Sequence, residues 1–145
     1  MASAGNETTP PPLTYIYKLV PTTFPISDPL PDTLDLSDLD ATSGFIHLSK
    51  ASQLQGTLRH FFAESTEIYV LRLDYEQVRA QVRWETPDAS VCGPREDEGM
   101  FPHLYNGTPP RLGRVEVEGF KLLRRQGDLW DLKIISEAKG WIIDV

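Results

Sequence analysis

Apolar and polar positions alternate with a period of two in several short runs, and follow a helical period in one longer stretch. Residues 14–20, Thr-Tyr-Ile-Tyr-Lys-Leu-Val, predict a first strand. It turns Tyr15, Tyr17 and Leu19 to one face and Ile16, Lys18 and Val20 to the other. Residues 44–49, Gly-Phe-Ile-His-Leu-Ser, predict a buried strand on which His47 and Ser49 share a face at the C-terminal end. Ser49 stands where a helix N-cap belongs. In the helix expected over residues 50–62, Ala51, Leu54, Leu58, Phe61 and Phe62 form an apolar stripe, while Gln53, Gly56, Thr57 and His60 fall mostly on the other side. Residues 66–74 carry Ile68-Tyr69-Val70-Leu71, apolar on both faces, which predicts a central strand. A turn of helix over 74–78 and a short strand over 82–85 follow.

Elsewhere the pattern is irregular. Prolines at 21, 25, 29 and 31 break any regular element between residues 21 and 43. The acidic run 34–40 with its leucines predicts a solvated loop holding a short helical turn, with a lid over a cleft beside His47 as the functional alternative. Residues 86–99 form a polar loop ending near Glu96-Asp97-Glu98, and deliver Phe101-Pro102-His103-Leu104-Tyr105-Asn106-Gly107. Residues 112–117 and 120–124 predict two strands of a hairpin turning near Gly119, with Glu116 and Glu118 facing out; 130–135 predicts a closing strand and 141–143 a terminal extension. The small, polar residues 1–12 bury too little to order and predict a disordered leader. The fold expected over 13–145 is a single α+β domain: a split, mostly antiparallel sheet around a cleft, with one clear helix.

Charge and composition narrow the function. A formal charge of −7 over 145 residues argues against nucleic acid and against an anionic membrane surface. A single cysteine, Cys92, permits no internal disulfide. The chain has no apolar run of membrane-spanning length and no basic-then-apolar start, so the expectation is a cytoplasmic protein with a small-molecule partner.

Chemistry concentrates on two histidines that end strands beside loops. His47 and His103 are the candidate general base and acid, because imidazole titrates near neutral pH. Ser49, Tyr105 and Arg83 would orient the substrate or steady an oxyanion. With three histidines in all, His47 and His103 have no clear third metal ligand beyond Glu85 or Glu98, so no metal is expected.

The motifs Gly44-Phe45-Ile46-His47-Leu48-Ser49, Gln53-Leu54, Phe61-Phe62, Val70-Leu71-Arg72-Leu73-Asp74, Val82-Arg83-Trp84-Glu85 and Phe101-Pro102-His103-Leu104-Tyr105 together resemble the domain-of-unknown-function 952 family, in the family's order. The resemblance implies a fold similar to the ADP-ribosyltransferase superfamily, and it pairs His47 with His103 across one cleft. Gln53, Glu85, Glu98 and Phe101, within or beside these motifs, complete the expected substrate-binding set. The superfamily likeness also implies an alternative, NAD-dependent ADP-ribosyl transfer or hydrolysis. There His47 and Ser49 would hold the nicotinamide ribose, and Glu98 or Glu85 would steady the oxocarbenium-like centre. Transferases of that superfamily carry Arg or His on the first strand; Tyr15-Ile16-Tyr17-Lys18 offers neither, and Lys18 shares its face with Ile16 and Val20. The reading preferred from sequence is therefore cofactor-independent acid/base chemistry of the isomerisation, elimination or cyclisation type, with a non-catalytic ligand-binding module as a further alternative.

Overall fold

A computed structural model describes residues 13–95 and 99–143, so the expected leader lies outside the described residues. Strands β1 (Tyr15–Pro21), β3 (Glu67–Asp74) and β6 (Val117–Arg124) form an antiparallel sheet in the order β1-β3-β6. Strands β2 (Ile46–His47), β4 (Val82–Glu85) and β5 (Phe101–Leu104) form a second in the order β2-β5-β4. Tyr17 and Ser49 join the two by a pair of backbone hydrogen bonds, both 2.9 Å.

The central strand is covered on both faces, as its apolar run predicts. Ile68 and Val70 point into a core with Tyr17, with Leu54 and Leu58 of helix α2 (Ala51–Phe61), and with Trp130, Ile135 and Ile142. Leu71 and Leu73 point the other way, against Ile16, Ile46, Leu104 and Leu112. Each such aliphatic side chain removed from water stabilises the fold by about 1.5–3 kcal/mol. A short helix α3 (Tyr75–Val78) and a 3₁₀ turn (Arg79–Gln81) lead into β4. Among the described residues, no helix is long and apolar enough to cross a membrane.

Several expectations are corrected. Ser49 does not cap α2: its backbone is committed to Tyr17, and Lys50 takes the N-cap position, its N–H satisfied by the Gln53 side chain at 2.9 Å. Phe61 leaves the apolar stripe and is 71% exposed. The short helical turn expected within 34–40 is present and runs on as helix α1 (Asp38–Ser43), with Ser37 as N-cap and Gly44 at φ 82° as its left-handed C-cap, but it buries Asp40 rather than leaving the run solvated. The hairpin near Gly119 does not form. Gly119 pairs with Arg72 inside one continuous β6, the ladder slipping between Arg72 and Leu73. Glu116 is buried rather than facing out, and Glu118 pairs with Arg72 at 2.5 Å. Residues 130–135 form no strand either. Trp130, Leu132 and Ile135 instead plug the core from irregular backbone, with the Trp130 indole N–H donating to the Phe62 carbonyl at 2.9 Å.

Candidate functional site

The ladder between β2 and β5 sets His47 directly opposite His103. Opposed residues of an antiparallel pair share a face, so both rings lie on one side with centroids 5.0 Å apart. The Phe45 ring packs against both, 4.2 Å from His103 and 4.5 Å from His47, and 5.1 Å from Tyr105. Three aromatic contacts therefore fix the imidazole planes before any hydrogen bond is counted.

Each ring is also held at Nδ1 by its own carboxylate. In the β4–β5 register Arg83 opposes His103 and Glu85 opposes Phe101, so Glu85 sits diagonally to His103 on the same face. Its Oε1 lies 2.9 Å from His103 Nδ1 and accepts the Tyr105 hydroxyl at 2.5 Å. On the other side, α1 brings Asp40 under His47. Asp40 Oδ1 lies 2.8 Å from His47 Nδ1 and accepts the His47 backbone N–H at 3.2 Å, while Oδ2 accepts Lys18 Nζ at 2.7 Å. Lys18 Nζ donates also to the His47 carbonyl at 3.2 Å. A carboxylate at Nδ1 makes that nitrogen the proton carrier and leaves Nε2 as the reactive position. Neither Nε2 has a hydrogen-bond partner among the described residues.

Electrostatics separate the two halves. Burial pushes the Asp40 carboxyl up, but the hydrogen bonds from His47 and the charge of Lys18 outweigh it and hold the group below the usual carboxylate range. Burial is the main force on His103 and lowers its pKa, with His47 adding to the effect against the opposing hydrogen bond to Glu85. The Tyr105 hydroxyl is pushed up to about 12, chiefly by burial and then by its bond to Glu85.

Both rings line one cavity of about 900 Å³. Of the residues expected from sequence, His47, Ser49, Phe101, His103 and Tyr105 line it. Gln53, Arg83 and Glu85 do not. Gln53 is turned to the Met100 carbonyl at 2.7 Å, Arg83 stacks its guanidinium 4.5 Å from the Tyr105 ring centroid, and Glu85 lies behind His103. Glu98 lies outside the described residues. Phe24, Ile26, Leu34 and Leu36 of the proline-rich segment line the cavity, so that segment does border the cleft. Among the described residues, no group of three or more His, Cys, Asp or Glu side chains is placed to hold a metal ion.

Sequence reading passed over Lys18, Asp40 and Phe45. Lys18 and Val20 both line the cavity, while Ile16 on the same face is buried in the core. Asp40 carried a signal: Ser37, followed three residues later by an acid and seven later by Gly44, is the punctuation of a short capped helix. A helix there turns one aspartate inward.

Fold and site together define a small α+β protein of antiparallel sheets and few helices, with a histidine-lined cavity on the second sheet. The model of the family described as proteins of unknown function, DUF952, matches residues 31–118, and the chain belongs to that family. The structure is similar to the crystal structure of protein CC0527 from Caulobacter crescentus, a structural-genomics target, at 25% identity and TM-score 0.62 over 83% of this chain and 96% of that one. It is similar also to the solution NMR structure of CC0527, at 24% identity and the same TM-score of 0.62, over 83% of this chain and 94% of that one. No protein of curated function matches.

Proposed function

We propose that this chain is a small-molecule enzyme that uses His47 and His103 for cofactor-independent general acid/base chemistry of the isomerisation, elimination or cyclisation type. One observation carries the reading: two imidazoles 5.0 Å apart in one cavity, each anchored at Nδ1 by its own buried carboxylate. A buried structural histidine needs one partner; two that leave both Nε2 atoms toward a shared cavity are arranged for proton traffic.

The roles follow from the environments. Burial keeps His103 neutral, so its Nε2 is the base, and Glu85 steadies the imidazolium that forms. His47, over the ionised Asp40, carries the proton that returns to a second substrate atom. Tyr105 and Arg83 position Glu85 and the ring stack, while the Ser49 hydroxyl serves the substrate. The proton taken and the proton returned balance, so no oxidant enters.

A split antiparallel sheet beside a cleft supports a second reading, an ADP-ribosyltransferase-like fold that takes NAD. Against it, a pyrophosphate needs free cations, and Lys18, the lysine of the described lining, is already bonded to Asp40. The test is exchange in D₂O. Small organic compounds are incubated with the protein and read for deuterium gain or isomer change by mass spectrometry, and NAD is titrated by calorimetry. Activity should fall by about 10²–10⁴ in His47→Ala and in His103→Ala. NAD binding that is lost in His47→Ala would instead establish the second reading, and a retained ligand that never exchanges would make the chain a binding module.

A further inference from the structure

We propose that the ligand of this cavity is an uncharged, largely apolar organic molecule with a polar end, a hydroxyl or carbonyl, rather than a phosphorylated metabolite or a dinucleotide. The polar end is placed by the reading of His47 and His103 as proton carriers; the class of the body rests on the walls and their charge.

Size comes first. A volume of about 900 Å³ is in the range of small-molecule pockets, about 300–1,000 Å³. The two histidines and Tyr105 form one polar cluster of the lining, joined through the Phe45 ring, and Ser37, Ser43, Ser49 and Thr57 are its uncharged polar residues besides. The walls are carbon: Phe24 and Leu36 from the proline-rich segment, Phe61 and Phe62 from the end of α2. Leu39 and Phe61 line the cavity while standing 60% and 71% exposed, which makes them its apolar mouth. Where the ligand body lies against these side chains a polar group on it finds no hydrogen bond, and a buried unpaired polar group is costly.

Charge points the same way. The described lining holds one lysine against three aspartates, Asp35, Asp40 and Asp88. Lys18 is spent twice, on Asp40 at 2.7 Å and on the His47 carbonyl at 3.2 Å. Asp35 and Asp88 are exposed, and hydrogen bonds from Ser90 hold Asp88 below the usual carboxylate range. An entering phosphate would therefore meet negative charge at the rim and no uncommitted Lys or Arg among the lining residues, in a chain already at −7. An uncharged body meets no such barrier and gains from every apolar wall it covers.

A matched pair of probes tests this on the full chain: 1-naphthol, and 1-naphthyl phosphate, which adds only the anion. Titrations followed by probe fluorescence should show naphthol binding, with the phosphate weaker by at least about tenfold. Leu36→Asp should weaken naphthol by about tenfold or more through a charge set in an apolar wall, and Phe61→Asp should weaken it by removing apolar surface at the mouth. Phe61 is exposed, so its variant keeps the fold even if Leu36→Asp does not; circular dichroism checks both. Equal or tighter binding of the phosphate overturns the proposal. So does an absence of naphthol binding at millimolar concentration, or binding that ignores the folded wall variants. The acid/base reading falls on different data, the exchange rates of the histidine variants, so the two can fail separately.

Discussion

His47 and His103 are register partners, paired backbone to backbone in a strand β2 that is only two residues long. The shared site is thus set by one rung of one ladder, and loop conformation has little say in it. What the loops add is the carboxylate behind His47, from a helix in the proline-rich segment; β4 supplies the one behind His103. Four separate stretches of chain converge on two rings.

Asp40 is the most heavily bonded of these groups, and its side chain is 2% exposed. Replacing it by Asn leaves the Lys18 ammonium, itself 13% exposed, without its counter-charge. Removing one partner of such a pair should destabilise the fold by about 3 kcal/mol. Because the folded pKa of Asp40 lies below the ordinary aspartate value of 3.8, its contribution is present above pH 3.8 and fades as pH falls through the lower folded value. Urea unfolding from pH 7 downward should therefore show wild type and Asp40→Asn converging at the acid end.

The convergence was only half legible beforehand. Alternation marks β1 and β4 and a helical stripe marks α2, because each buries one regular face, while an unbroken apolar run marks β3, which is covered on both. The residues of the second histidine motif stood out for their chemistry alone. Asp40 looked like one more solvated acid, since burial of a single aspartate depends on Lys18, a residue on a strand twenty-two positions earlier. The C-terminal segment failed for a different reason. Trp130, Leu132 and Ile134 alternate as a strand would, yet it is Trp130, Leu132 and Ile135 that fill the core against β1 and β3, at a spacing no strand allows, and Ile134 stands exposed. Gly119 misled in the same way: the turn signal of a glycine between apolar runs was overridden by continuous pairing to β3.

Tyr105 should be visible by its titration. Its hydroxyl, pushed up to about 12, stays protonated and donates to Glu85 across the whole neutral range. Absorbance at alkaline pH should include a late-titrating phenol that Tyr105→Phe removes. The lost hydrogen bond should cost about 1 kcal/mol in thermal unfolding. A spectrum without that late phase would mean the Glu85 contact is not kept in solution.

Gly113 marks where the proline-rich segment is strapped down. Leu34 N–H donates to the Leu112 carbonyl at 2.7 Å and Arg114 N–H to the Pro31 carbonyl at 3.0 Å, and this brings a Cβ built on Gly113 within 1.8 Å of the Asp32 carbonyl oxygen. That oxygen is backbone, so it cannot swing aside. Gly113→Ala should destabilise by about 1–3 kcal/mol, the range for overpacking, and should speed proteolysis within residues 21–37. Unchanged melting together with unchanged cleavage would show that the strap tolerates separation.

The pH profile of the proposed chemistry should carry the mark of His103. Its folded pKa lies below 6.5. Between that lower value and 6.5 the unfolded chain binds the extra proton and the folded chain does not, so stability is lost as pH falls through this window and levels off beneath it. The same group, as base, must be neutral to act; kcat/KM should therefore rise through the folded pKa, at a pH below that of an ordinary imidazole. Glu85→Gln separates position from protonation. An amide can bond to His103 Nδ1 in either sense, so the tautomer is no longer fixed and the forming imidazolium loses its counter-charge. A fall in kcat of about 10²–10⁴ is expected, the scale of a general acid/base contribution, with KM little altered because Glu85 does not line the cavity. The acid limb of the profile should move as well, since the hydrogen bond that His103 donates to Glu85 raises the His103 pKa and its weakening lowers it, shifting the limb to more acidic pH. A variant that keeps wild-type kcat and an unmoved limb would reduce the Glu85–His103 pair to a structural contact.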